Sequence, residues 1–144
     1  MGNTYEMSKG LGWVQPACLL AIEQYDEDDM PGPTTYQVAA AIYEVQPDKD
    51  GNRFISDAQH VATKRALEGL QRKGHVIGFR AHRNRGDGGT ELCHSWMIER
   101  RMTAWLANTR KAAAMALGNG NGTYFTAKAD QLEAKARAIG MLAS

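Results

Sequence analysis

A chain of 144 residues with 43% hydrophobic content suffices for one domain with a modest core and an appendage, and no stretch of it reaches the roughly 20 apolar residues of a membrane span. Cys18 and Cys93 are the only cysteines and form no CxxC pair, so neither a disulfide framework nor a cysteine zinc site is expected. The net charge of +1 conceals a division: residues 1–52 hold 2 basic and 9 acidic side chains, residues 53–101 hold 10 and 5, and residues 102–144 hold 5 and 2.

In chain order, residues 1–12 have neither the basic start nor the apolar run of a secretory leader, and a cytoplasmic location is expected. A first helix is expected over Gln15–Tyr25, with Pro16 in its first turn and Val14, Ala17, Leu20 and Ala21 as its apolar stripe. Asp26-Glu27-Asp28-Asp29 and then Pro31-Gly32-Pro33 end it in a rigid acidic loop, because proline cannot continue a helix and disfavours helical backbone before it. A second helix starts at Thr34 or Thr35, whose hydroxyl caps it, and runs to about Val45 with Val38, Ala39, Ile42 and Val45 on one side. Gln46–Ile55 is polar and turn-forming. Ser56 is an N-cap with Asp57 and Gln59 in the first turn, and a third helix spans Ser56–Lys73 and stops at Gly74. Its buried face is read as Ala58, Ala62, Ala66, Leu67 and Leu70, which leaves Gln59, His60, Thr63 and Lys64 opposite.

His75–His82 has the β-branched and aromatic content of a strand, Glu91–Ile98 is its partner, and Arg83–Thr90 between them is a basic, glycine-rich hairpin tip. Helix returns from about Met97 to Leu117, breaks at Gly118-Asn119-Gly120-Asn121-Gly122, and resumes over Thr126–Leu142, where mostly alanine leaves little with which to pack alone. The expected fold is thus α+β, mostly helical: a domain over 13–98, a helix over 99–117, a linker over 118–123 and a helical tail over 124–144.

Residues 60–86 concentrate the charge, with Lys64, Arg65, Arg72, Lys73, Arg80, Arg83 and Arg85 against the single acid Glu68, and such a patch attracts polyanions. Three helices, the segment Ala66-Leu67-Glu68-Gly69-Leu70-Gln71-Arg72-Lys73-Gly74-His75-Val76-Ile77, and the loop Arg83–Thr90 together resemble the winged helix-turn-helix transcription regulators over roughly Gln15–Ile98. The resemblance implies a winged helix whose third helix, residues 56–73, lies in the major groove of double-stranded DNA, with the wing, residues 83–90, on a neighbouring groove or phosphate strand. It implies a bacterial or phage regulator, and a homodimer paired through Met97–Leu117 with Met102, Trp105 and Leu106 as the apolar face. Gln59, His60, Thr63 and Lys64 are the side chains expected to reach base edges; Arg72, Lys73, Arg80, Arg83 and Arg85 complete the DNA-binding set. The connection between helices two and three is longer than the three or four residues usual in such units.

Weaker signals point elsewhere. Asp48–Ser56 resembles the calcium loop of EF-hand proteins, but Arg53 stands where that loop needs glycine and Gln59 where it needs glutamate, so a polar turn is the reading. His60, His75, His82 and His94 are too scattered for a metal motif, although His82 and His94 approach each other across the hairpin. Trp13, Trp96 and Trp105 read as core and interface anchors. No nucleophile elbow, zinc-protease, phosphate-loop or dinucleotide fingerprint occurs, so neither an enzyme nor a cofactor is expected. The alternative is a winged-helix module that binds protein and not DNA, which the near-neutral total charge permits.

Overall fold

The computed structural model describes residues 12–25, 31–84, 89–116 and 121–142. They form five helices and a two-stranded antiparallel sheet, an α+β and mostly helical architecture: α1 (Val14–Gln24), α2 (Thr35–Ile42), α3 (Asp57–Arg72), β1 (Ile77–Asn84), β2 (Thr90–Met97), α4 (Glu99–Met115) and α5 (Asn121–Ala138). No helix among the described residues is long and apolar enough to cross a membrane.

Capping residues set the starts. Thr34 and Ser56 each accept a hydrogen bond from the amide three residues on, while Gln37 and Gln59 reach back to the cap amides, so both α2 and α3 open with a complete capping box. The ends follow backbone handedness. Gly74 adopts φ +78° after α3, and the His75 amide donates to the Leu70 carbonyl at 3.0 Å, which closes the helix without a Cβ penalty. α2 stops earlier than its periodicity predicts, at Ile42 and not Val45, because Glu44 turns left-handed at φ 52° and the Val45 amide closes on the Ala40 carbonyl at 3.0 Å. A left-handed non-glycine residue costs roughly 1–2 kcal/mol, partly offset by glycine's larger loss of chain entropy. Replacing exposed Glu44 by glycine is therefore expected to raise stability by about 0.5–1 kcal/mol in urea denaturation.

The long connection to α3 is a closed turn. Asp48 Oδ1 accepts from the amides of Asp50 and Asn52 at 2.8 and 3.0 Å, the left-handed residue is Gly51 and not the residue at Arg53, and Tyr36 donates to the Arg53 carbonyl. That carboxylate is thus engaged by its own backbone, as in a polar turn.

Two apolar clusters lie on opposite faces of the hairpin. The first joins Val14, Cys18 and Ile22 of α1, Val38 of α2, Ala66, Leu67 and Leu70 of α3, Val76, and Trp96 of β2. Two helical stripes differ from their sequence reading. α1 buries Val14, Cys18 and Ile22, which rotates Leu20 out to 53% exposure, and α3 buries Thr63 in place of Ala58 and Ala62. The Thr63 hydroxyl is satisfied inside the core by donating to the Gln59 carbonyl at 2.8 Å. Burial pushes the Cys18 thiol up to about 12, so it behaves as a small apolar side chain.

The second cluster joins Ile77, Met97, Met102, Leu132, Ala136 and Met141, with Phe79, Trp105 and Leu106 packed beside it. Met102, Trp105 and Leu106 are therefore turned toward α5 and the sheet of their own chain, which removes the free apolar face on which pairing through α4 was expected. α5 begins at Asn121, inside the stretch read as linker, and Ala129 and Ala136 are buried, so small residues let it lie close to its neighbours. Arg110 of α4 pairs with Asp130 at 3.1 Å and with Glu133, holding the two helices in register; its hydrogen bonds, with those of Arg137, keep the Glu133 carboxyl below its usual range. At the other end of α4, Arg100 and Arg101 donate to the Glu23 and Tyr25 carbonyls at the C-terminus of α1, where cations are favoured.

Candidate nucleic-acid interface

The hairpin pairs in a fixed register, with Gly78 opposite Trp96 and Arg80 opposite His94. Because side chains alternate across a strand, Gly78, Arg80, His94 and Trp96 share one sheet face, while Ile77, Phe79 and Met97 share the other. Gly78 is glycine for a steric reason: a Cβ there would lie 2.5 Å from His94 Nε2 and 2.7 Å from the Trp96 ring. His94 and Trp96 thus lie against the strand backbone, their rings 4.9 Å apart.

Both edges of the hairpin are covered by hydrogen bonds. On the β1 side, the Gly78 amide donates to Gln71 Oε1 at 2.8 Å, Lys135 donates to the Gly78 carbonyl, and Lys128 donates to the Arg80 carbonyl at 3.3 Å. On the β2 side, the Trp96 amide donates to the Pro33 carbonyl at 2.9 Å, Thr34 bridges antiparallel to Ser95, and Trp96 Nε1 donates to Thr35 Oγ1 at 2.8 Å. Pro33 and Thr34 therefore cover the outer edge of β2, and the hairpin is locked against the N-terminus of α2.

These contacts hold the sheet face beside α3. At about 100° per residue, His60, Lys64, Glu68 and Gln71 fall on one side of that helix, and Gln71 is bonded to β1. The electrostatics agree: the His94 imidazole is held below its usual value by burial first, then by Lys135, Arg80 and Lys64, with Glu68 acting weakly in the other direction. A folded-state value below the unfolded one means that the unfolded chain binds more protons, so this group's contribution to stability is complete above about pH 6.5 and lost as pH falls through the lowered value. Stability should accordingly rise from pH 5 toward 6.5 and then level off, and His94→Gln should flatten that rise when urea midpoints are compared across pH.

The nine expected contact residues are distributed unevenly. His60, Lys64 and Arg80 are exposed, and Lys64 and Arg80 act on the same imidazole. Gln59 is half-buried, and its Oε1 accepts the Ser56 amide at 3.1 Å, so that oxygen is committed to the cap. Thr63 is fully buried and does not reach the surface, a correction that follows from its place at the centre of the apolar stripe. Arg72 and Lys73 are exposed but lie toward α1, where Lys73 Nζ donates to Gln15 Oε1 at 2.9 Å beside Gly69. Arg83 stands in β1 opposite Glu91, in the ladder and not in the tip. Arg85 lies outside the described residues, as does the acidic segment Asp26–Asp29.

Sequence reasoning missed His94 and Lys135 as members of the basic face. The register carried the signal for His94, which stands opposite Arg80 and not beside His82. Lys135 had no local signal, since only tertiary packing brings α5 to β1. Among the described residues no group of three or more His, Cys, Asp or Glu side chains is gathered as a metal site would need. Comparison with known protein families, curated proteins and solved structures finds no match.

Proposed function

We propose that the chain is a winged helix-turn-helix protein that binds double-stranded DNA, with α3 in the major groove and the β1–β2 hairpin as the wing. The observation that carries this reading is the joining of Lys64 on α3, Arg80 on β1 and Lys135 on α5 around His94 into one cationic face. A helix whose exposed side carries His60 and Lys64 fits the major groove, and cations on the adjoining hairpin are placed to neutralise phosphates. The chain order supports the same reading: three helices, an isolated bridge from Thr34 to Ser95 of β2, and a hairpin after α3. A role as a bacterial or phage transcription regulator is the biological form of this proposal. Pairing into a homodimer belongs to it only through a surface other than the buried side of α4.

The test is fluorescence anisotropy of a labelled generic duplex at roughly 50 and 200 mM salt, where phosphate contacts weaken by orders of magnitude. Binding should fall steeply with salt. Each cation removed in the series Lys64→Ala, Arg80→Ala and Arg85→Ala should lower the salt slope by about one, and the triple variant should bind at least tenfold more weakly. Absence of binding at the lower salt overturns the proposal in favour of a protein-binding winged helix.

A further inference from the structure

We infer that the space between β1, α4 and α5 is a binding site for a small aromatic carboxylate, an assignment that stands independently of DNA binding. Four aromatic side chains line it, Phe79 from the strand, Trp105 from α4, and Tyr124 and Phe125 from α5, while buried Ala129 and Leu132 also border it. Helical spacing explains the gathering. Residues 124, 128 and 132 follow one another at intervals of four along α5, as do 125 and 129, and Trp105 and Thr109 face them from α4 at the same interval.

The pocket holds about 240 Å³. A cavity of roughly 150 Å³ accommodates benzene, so this one takes a single ring with a short substituent. Aromatic walls favour an aromatic occupant through offset and edge-to-face contacts.

Charge identifies the substituent. The cationic end on the lining is Lys128, since the Arg80 side chain shares the opposite sheet face with His94 and Trp96; the Thr109 hydroxyl already donates to the Trp105 carbonyl at 2.8 Å, and among the described residues no acidic side chain lines the space. The acids nearest along α5, Asp130 and Glu133, are bound by Arg110. Lys128 is partly preorganised, because its Nζ donates to the Arg80 carbonyl at 3.3 Å, which leaves further ammonium protons for a carboxylate. An apolar chamber bordered by an ammonium and, among the described residues, by no anion is complementary to an aromatic acid and not to its neutral analogue.

The experiment is calorimetric titration of the full chain with phenylacetate and with phenylacetamide, repeated on K128Q and on A129L, which fills the pocket. Phenylacetate should bind saturably at one site and shift the Trp105 indole resonance. K128Q should bind it at least tenfold more weakly, phenylacetamide should bind the unaltered chain no better than that, and A129L should abolish binding. Should A129L fail to fold, T109L fills the same space from α4. Equal binding of acid and amide, no saturable binding of phenylacetate at millimolar concentration, or undiminished binding by K128Q overturns the assignment.

Discussion

Replacing Trp96 by alanine is expected to destabilise the fold by about 3–5 kcal/mol, the range for removing a large aromatic from a packed core. The side chain is 3% exposed, it closes the first cluster from the sheet side, and its indole N–H is bonded to Thr35 at 2.8 Å. Its loss removes apolar contact with all three N-terminal helices' cluster and frees the start of α2 from β2 together. For a chain of this size the melting temperature should drop by roughly 10–15 °C. Trp96→Phe keeps most of the ring and forfeits the hydrogen bond, so it should cost only about 1–2 kcal/mol. Urea unfolding followed by far-ultraviolet circular dichroism measures both; an alanine variant within 1 kcal/mol of the parent would contradict the packing described.

Met102→Ala is expected to cost about 2–5 kcal/mol, because the side chain is wholly inaccessible and lies at the centre of the second cluster. The same substitution separates two roles for α4. If Met102 packs within its own chain, unfolding free energy falls and the mass by light scattering at a fixed concentration is unchanged. Loss of a dimer with no change in the stability of the single chain would contradict the arrangement.

Elements governed by local chemistry were legible in the sequence. Thr34 and Ser56 announced helix starts because a hydroxyl followed three residues on by glutamine satisfies orphan amides on both sides. Gly74 announced the end of α3 for a reason equally local, and both strands were placed within two residues of their observed starts and ends. What depended on choosing between similar residues was not legible. Alanine fits a core and a surface alike, so Ala58 and Ala62 masked the true stripe of Thr63, Ala66, Leu67 and Leu70, whose spacing of three and four residues runs unbroken only when threonine is counted as buried. On α1 the same ambiguity hid Cys18 and Ile22 behind Ala17, Leu20 and Ala21. The end of α2 was misplaced because glutamate in a left-handed position has no sequence signal. The packing of α5 was illegible for a further reason: its partners, Phe79 and Trp105, are contributed by segments separated from it by a glycine-rich stretch.

The basic face divides in the same way. Lys64 and Arg80 were readable as charge concentration, whereas their grouping with His94 and Lys135 rests on strand register and on the lie of α5. A list of cations in sequence order cannot separate Lys64, beside the hairpin, from Lys73, tied to Gln15 on α1.

Trp96 and Met97 are neighbours in the chain, yet one anchors the N-terminal helices and the other the C-terminal pair. The hairpin therefore acts as a party wall, with no side left over for solvent along its inner half. A fragment ending at residue 98 would strip Ile77, Phe79 and Met97 of their cover and present a sticky, strand-edged surface, prone to self-association at concentrations where the whole chain stays dispersed. The bonds of Lys128 and Lys135 to β1, and of β1 to Gln71 on α3, likewise tie the C-terminal helices to the elements that carry Lys64 and Arg80, as a buttress stands behind a wall.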